Sequence, residues 1–130
     1  MTLHEMMHQI ALLSGGTYRR DGVTGIVEIP LPANRKQSIS GHIETIGGEQ
    51  VGLIHATVGE CAMEIDPWKL LELNYFLRYS RVALTDARTV VVAATFELDR
   101  TSVKECAPII QEVAATADEL ERIYFGYDTH

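Results

Sequence analysis

The first residues that could carry chemistry are His4-Glu5-Met6-Met7-His8, which match the HExxH pattern of zinc hydrolases. On a helix the two histidines lie one turn apart on one face, where they can share a zinc ion while the glutamate deprotonates a bound water. No later His or Glu follows at the spacing that such enzymes use for a third ligand. Glu5 also has the capping-box spacing from Thr2, which is a structural role. A small zinc-dependent hydrolase using His4, Glu5 and His8 is therefore the alternative function, not the first.

A second pair of histidines, His42 and His55, falls on two neighbouring predicted strands. Pairing Ile46 with Val51 across the predicted turn places the two histidines directly opposite each other. Opposed residues have Cβ atoms about 5 Å apart, which is close enough for two imidazoles to share a metal. Glu44 is displaced along the strand and supplies no carboxylate on that rung. We therefore expect solvent-facing histidines and keep a metal pair as a further alternative.

Other signatures of catalysis are absent from the sequence. It contains no GxSxG elbow, no glycine-rich phosphate loop and no GxGxxG after a strand. The two cysteines, Cys61 and Cys106, form no CxxC motif, and we interpret both as reduced and buried. Whether they lie near each other is not indicated. We expect no enzyme activity, no cofactor and no metal.

Length and charge limit the classes of function. A chain of 130 residues is predicted to form one domain over residues 1–130. A net charge of −7 opposes nucleic-acid binding, which needs a basic face. No apolar run approaches the roughly 20 residues of a membrane helix, and the chain has no Lys or Arg before Arg19, which argues against a signal peptide. We therefore expect a cytoplasmic protein with no nucleic-acid or membrane partner.

The spacing of apolar residues predicts an α+β fold in the order αβββαββα. The predicted strands cover residues 23–29, 37–46, 51–58, 78–84 and 89–98. The first predicted helix is capped by Thr2 and ends at Gly15-Gly16, and the last begins at Ser102 and ends at Gly126. Three consecutive valines at 90–92 predict a central strand that is covered on both faces.

The middle helix is predicted from Pro67 to about Phe76 and carries apolar side chains on nearly all sides. Such a helix is buried by its own sheet and by a partner. Because aromatic residues are enriched both in cores and at interfaces, its stripe of Trp68, Leu71 and Tyr75 fits either place. We predict that these three residues form part of a dimer surface.

Four segments in the second half of the chain carry a family resemblance. They are Leu70-Leu71-Glu72-Leu73-Asn74, the strand 79–84, the strand 90–98 with Phe96-Glu97-Leu98-Asp99 at its end, and 114–123 with Ala117-Asp118-Glu119-Leu120-Glu121. With the order of elements, they resemble the type III secretion chaperone-like fold and, within it, the YbjN-type bacterial proteins. The resemblance implies a five-stranded antiparallel sheet backed by helices, commonly a two-fold homodimer, and no catalytic residues.

From this resemblance we expect a non-enzymatic protein-binding module, either chaperone-like or a regulatory adaptor. Its partner would be a polypeptide client or a regulatory protein. Secretion chaperones of this fold present apolar patches and sheet edges to an extended segment, and strand addition supplies main-chain hydrogen bonds. A regulatory domain that senses a small ligand is a third possibility, with no sequence feature for or against it. The client, the pathway and the dimer geometry are not indicated.

Overall fold

The computed structural model of the protein describes residues 1–125. Its helices are α1 (Leu3–Ser14), α2 (Pro67–Leu73) and α3 (Val103–Tyr124). Its strands are β1 (Thr17–Asp21), β2 (Thr24–Leu31), β3 (Arg35–Ile46), β4 (Glu49–Glu60), β5 (Arg81–Leu84) and β6 (Thr89–Glu97). A single 3-10 turn at Leu98–Arg100 joins β6 to α3. The predicted end of the last helix at Gly126 lies outside the described residues.

The strands form one antiparallel sheet in the order β1-β2-β3-β4-β6-β5. The predicted α+β class is confirmed, but the sheet has six strands and not five. The additional strand is β1, which pairs with β2 along its whole length. Its sequence, Thr-Tyr-Arg-Arg-Asp, is exposed except for the half-buried Tyr18. It therefore lacks the alternation of buried and exposed residues by which strands are recognised.

Two helices cover one face of the sheet. α1 packs on β1 and β2, whereas α3 packs on β3, β4 and β6. The core lies between these layers, and its largest fully buried side chains are Leu3, Met6, Met7, Ile10, Val27, Ile39, Ile54, Val90, Val92, Ile110, Val113 and Leu120. On β6, Val90 and Val92 are buried but Val91 points to the other face and is only half-buried. The expectation that β6 is covered on both faces is therefore wrong within residues 1–125, and we call the other side of the sheet the helix-free face.

Close packing of α1 on the sheet depends on two glycines. A Cβ atom at Gly25 of β2 would lie 2.9 Å from the sulfur of Met7, and one at Gly41 of β3 would lie 2.8 Å from it. Both distances are far below van der Waals contact, so only glycine admits the Met7 side chain at its present depth. Met7 is 0% exposed as a result.

The register of the β3–β4 hairpin differs from the predicted one by two residues. Ile46 pairs with Glu49 across a two-residue turn in which Gly47 and Gly48 have φ values of 59° and 82°. Positive φ at both central residues matches the twist of a tight hairpin, which the prediction of a longer connection missed. Because a shift of two keeps every side chain on its face, Ile39 and Ile54 are still buried against the helices, as expected.

All three predicted helix N-termini are confirmed. Thr2 with Glu5, and Ser102 with Glu105, form complete capping boxes, and Asp66 accepts a hydrogen bond from the amide of Trp68. No helix within residues 1–125 has the length and apolar character needed to span a membrane.

Candidate functional site

A group of exposed apolar side chains surrounds α2 and the edge strand β5. Its members are Trp68, Leu71, Tyr75, Phe76 and Leu84, which together we call the α2 surface. Trp68 is 74% exposed and Tyr75 is 88% exposed. Aromatic side chains of this size bury 150–250 Å² each when covered, and a cluster of them in contact with water is typical of an interaction site.

The α2 surface is exposed because α2 packs on the rest of the protein mainly through one side. Leu70 is the one buried residue of this helix, Leu73 is half-buried against the core, and the main packing partner of α2 is β5. The predicted burial of the helix on more than one side is therefore not seen in the described chain. Trp68 and Leu71 lie on α2, whereas Tyr75 lies in the turn that follows it, because the helix ends at Leu73 and not near Phe76 as predicted. All three side chains are in contact with solvent.

An apolar hollow of about 220 Å³ lies between α2 and β5. It is lined by Pro67, Leu70, Leu71, Val82, Ala83 and Leu84. Leu71 and Leu84 belong both to this hollow and to the α2 surface, so the surface includes a concave part as well as projecting aromatic rings. A concave apolar site beside exposed aromatic side chains is where the anchors of a binding partner insert.

The outer edge of β5 is closed by a side chain. The Oδ1 atom of Asn74 accepts a hydrogen bond of 2.7 Å from the amide of Val82, and its Nδ2 atom donates one of 3.2 Å to the carbonyl of the same residue. These are the two hydrogen bonds that one residue of a neighbouring strand would make. Asn74 thus occupies the place of a seventh strand at this position.

Glu112 of α3 holds the segment that leads into β5. Its carboxylate accepts hydrogen bonds from the amides of Arg78, Tyr79 and Ser80, at 3.0, 2.9 and 2.8 Å, and from the Ser80 hydroxyl at 2.6 Å. Burial raises the pKa of Glu112, but the hydrogen bonds from Ser80, Tyr79 and Arg78 outweigh it and leave the pKa below its ordinary value. Sequence reasoning assigned no role to Asn74, which it named only as part of a segment of family resemblance, and it missed Glu112, which belongs to no motif.

The HExxH residues pack against β1. The hydroxyl of Tyr18 lies 2.6 Å from Nδ1 of His4, and the Tyr18 ring stacks on the His8 ring with 5.4 Å between centroids. Burial, assisted by the charge of Arg20, lowers the pKa of His4. Glu5 completes the capping box with Thr2. Within residues 1–125 no three His, Cys, Asp or Glu side chains form a group that could hold a metal ion.

The pairing predicted for His42 and His55 is wrong. Because of the shifted register, His42 lies opposite Leu53, and His55 lies opposite Ser40. Both histidines are on the helix-free face, where His42 Nε2 is 3.5 Å from Glu44 Oε1. Burial, assisted by the charge of His42, lowers the pKa of His55. The two histidines border an open groove of about 510 Å³.

The two cysteines differ in environment. Cys106 is buried within the core, as predicted, but Cys61 is only half-buried, so its predicted burial is wrong; neither forms a disulfide. Burial raises the pKa of the Cys106 thiol to about 12, so this thiol stays protonated and unreactive at neutral pH.

The fold is similar to that of a solved secretion chaperone. It matches the crystal structure of the Yersinia pestis type III secretion chaperone SycH in complex with a stable fragment of YscM2, with a TM-score of 0.60 and 14% sequence identity. The match covers 92% of this chain and 99% of that one. No family model matches the chain, and no curated protein matches it in sequence. The expected chaperone-like fold is therefore confirmed, whereas YbjN-type membership stays a prediction.

Proposed function

We propose that the protein is a non-enzymatic module that binds a polypeptide partner, as a chaperone-like protein or a regulatory adaptor in the cytoplasm, and that it acts as a homodimer. The observation that carries the proposal is the α2 surface, with Trp68 and Tyr75 largely in contact with solvent. The similar chaperone SycH was solved in complex with a polypeptide fragment, which supports a protein partner here.

A second copy of the chain is the occupant that we propose for the α2 surface. Two-fold dimers use the same patch on both subunits, so the patch must be complementary to itself. Trp68, Leu71 and Tyr75 supply the large apolar anchors that concentrate binding energy at the centre of an interface. Lys69 and Glu72 are exposed on the same helix and carry opposite charges, which gives each copy a partner for the other's charge.

The client segment is proposed to add to the sheet at β1. Strand addition needs free backbone groups at a sheet edge, and at β5 those of Val82 are taken by Asn74. The other end of the sheet is β1, which pairs only with β2 within the described residues. Arg19 and Arg20 are exposed on β1, and their charge favours a client segment with acidic side chains.

The native mass of two variants tests the dimer. Tyr75→Asp places a charge in the proposed interface, so we expect the mass measured by light scattering to fall from two chains to one. Leu13→Asp is the matched control, because Leu13 is 76% exposed on α1, at the opposite end of the sheet from β5. A monomeric wild type, or a folded Tyr75→Asp variant that stays dimeric, would refute the proposed interface.

Client binding is tested by hydrogen exchange. A tagged pull-down from the native cell under mild crosslinking supplies the candidate partner, and the purified pair is then compared with the protein alone. We expect amides of Thr17–Asp21 to become protected in the pair, whereas β5 amides stay unchanged. Protection at β5 with none at β1 contradicts strand addition at β1, and stoichiometric zinc that is lost in His4→Ala contradicts the non-enzymatic proposal.

A further inference from the structure

We propose that the groove on the helix-free face binds an amphipathic carboxylate, that is, a small molecule with one carboxylate and a short apolar body. The inference is independent of the α2 surface and adds a ligand to a protein proposed above to bind polypeptide. The groove crosses β3, β4, β6 and β5, and its volume of about 510 Å³ falls within the range of small-ligand sites.

One row of residues across three strands forms the centre of the groove. His55 of β4 is paired with Ala93 of β6, and Ala93 is paired with Arg81 of β5. Neighbouring strands lie about 4.8 Å apart, so the backbones of His55 and Arg81 are about 10 Å apart, with only the methyl group of Ala93 between them. The groove is therefore a gap above a small residue, flanked by an imidazole and a guanidinium.

Arg81 is available for a ligand. Its side chain makes no hydrogen bond or ion pair with any residue of the described chain, although the protein is acidic overall. Arg35, Arg100 and Arg122, by contrast, each contact a carboxylate. A guanidinium presents a planar fork of donors that fits the two oxygens of a carboxylate.

The remaining lining fits a carboxylate that carries an apolar body. Leu53, Val91 and Ala93 form an apolar floor beside the charged group. His55 is half-buried with a lowered pKa, so at neutral pH it contributes one ring N–H donor and no charge. One guanidinium and one neutral imidazole satisfy a single carboxylate, and the apolar floor beside them accommodates an apolar body.

Methyl NMR spectra of the full-length protein test the site. We would titrate labelled protein with 4-phenylbutyrate and, in parallel, with 4-phenyl-1-butanol, which has the same apolar body without the charge. We expect saturable shifts at the methyl groups of Leu53, Val91 and Ala93, and about tenfold weaker binding of the alcohol. Shifts centred on Leu71 and Leu84, equal affinity for both compounds, or no saturable shift would each overturn the proposal.

Three variants distinguish binding at this groove from nonspecific binding of the compound elsewhere on the protein. Arg81→Gln is expected to weaken binding of the acid about tenfold, since a charge-assisted pair is lost. Lys104→Gln is the control, because Lys104 is also exposed, makes no hydrogen bond or ion pair within residues 1–125, and lies on α3, away from the helix-free face. Ala93→Leu fills the gap and is expected to abolish binding in a folded protein.

The native mass of Ala93→Leu distinguishes this proposal from a dimer through the helix-free face. An unchanged mass together with lost binding supports a ligand site, whatever the outcome for Tyr75→Asp. A folded but monomeric Ala93→Leu variant would identify the helix-free face as the interface between copies and would overturn the ligand site. Equal affinity of wild type and Arg81→Gln for the acid would overturn it as well.

Discussion

At the scale of single residues, one carboxylate organises the approach to β5. Glu112 accepts hydrogen bonds from three consecutive amides and a hydroxyl, in a segment more than thirty positions away. Ser80 is buried, and a single ionised side chain satisfies its amide and hydroxyl together with the exposed amides of Arg78 and Tyr79. We therefore expect the position of the α2 surface relative to α3 to depend on the charge state of Glu112.

The pH dependence of stability tests this role of Glu112. Its pKa is lower in the folded than in the unfolded chain, so the ionised form adds stability above the unfolded pKa, and that stability is lost as pH falls through the folded pKa. We expect Glu112→Gln to lower the free energy of unfolding in urea most at pH 7, with the difference from wild type shrinking in acid.

A matched variant guards against general effects of charge. Glu64→Gln removes an exposed carboxylate that makes no hydrogen bond or ion pair within the described chain. Its difference from wild type should stay small, and should follow only the change in net charge. A Glu112→Gln difference that is independent of pH would contradict the proposed role of the ionised carboxylate.

At the scale of elements, strands whose residues alternate in polarity can be predicted from the sequence, whereas strands that are held mainly by tertiary contacts cannot. The faces of the β3–β4 hairpin are predictable because Ile39 and Ile54 follow the period of two. The register of this hairpin cannot be predicted in the same way, because it depends on the φ values of Gly47 and Gly48, which no apolar pattern encodes. β1 is held by pairing with β2 and has no apolar period of its own.

Part of the candidate site can be predicted from the sequence, and part depends on tertiary contacts. Apolar spacing identifies Trp68, Leu71 and Tyr75 as one side of a helix, but it does not reveal that nothing within residues 1–125 covers them. The groove on the helix-free face depends on which residues are neighbours across β4, β6 and β5. Arg81 and His55 come from segments with no shared motif, so only the sheet order brings them together.

The closure of β5 by Asn74 predicts a solubility effect. Asn74→Leu removes both hydrogen bonds to Val82 and leaves an unpaired edge beside the apolar α2 surface. We expect a loss of about 1–2 kcal/mol in the free energy of unfolding, since two buried backbone groups lose their partners. We also expect concentration-dependent light scattering, because unpaired edges recruit other chains.

Asn74→Asp is the matched control for that variant. It keeps an acceptor for the Val82 amide, but it replaces the donor to the Val82 carbonyl by a charged carboxylate oxygen, so one of the two hydrogen bonds remains. It should therefore scatter less light than Asn74→Leu at equal concentration. If both variants stay as soluble as wild type, Asn74 does not protect the edge.

At the scale of the whole molecule, the two surfaces available for binding lie close to the same end of the sheet but differ in chemistry. The α2 surface borders β5 and is apolar and aromatic, whereas the groove on the helix-free face is open and carries Arg81 with two histidines. α1 and α3 cover the opposite face and bury the core. This division allows a protein partner and a small ligand to be bound at once.

The proposed dimer predicts that thermal stability depends on protein concentration. Because a second copy binds only the folded chain, mass action raises the unfolding midpoint as concentration rises. We expect a rise across a hundredfold range of concentration for wild type, measured by calorimetry, and none for Tyr75→Asp. A wild-type midpoint that does not move would indicate that folding and association are not linked.

The depth at which Met7 sits between Gly25 and Gly41 has a chemical consequence. Peroxide converts a thioether to a sulfoxide only where it can reach the sulfur. Met63 is fully exposed, whereas Met6 and Met7 are buried on the side of α1 that faces the sheet. Oxygen would therefore be added first at Met1 and Met63, and the buried pair would follow only when α1 lifts from the sheet. Mass spectrometry would follow the addition of oxygen to each of the four methionines. The rate of oxidation at Met6 and Met7, compared with that at Met1 and Met63, would measure how often α1 opens.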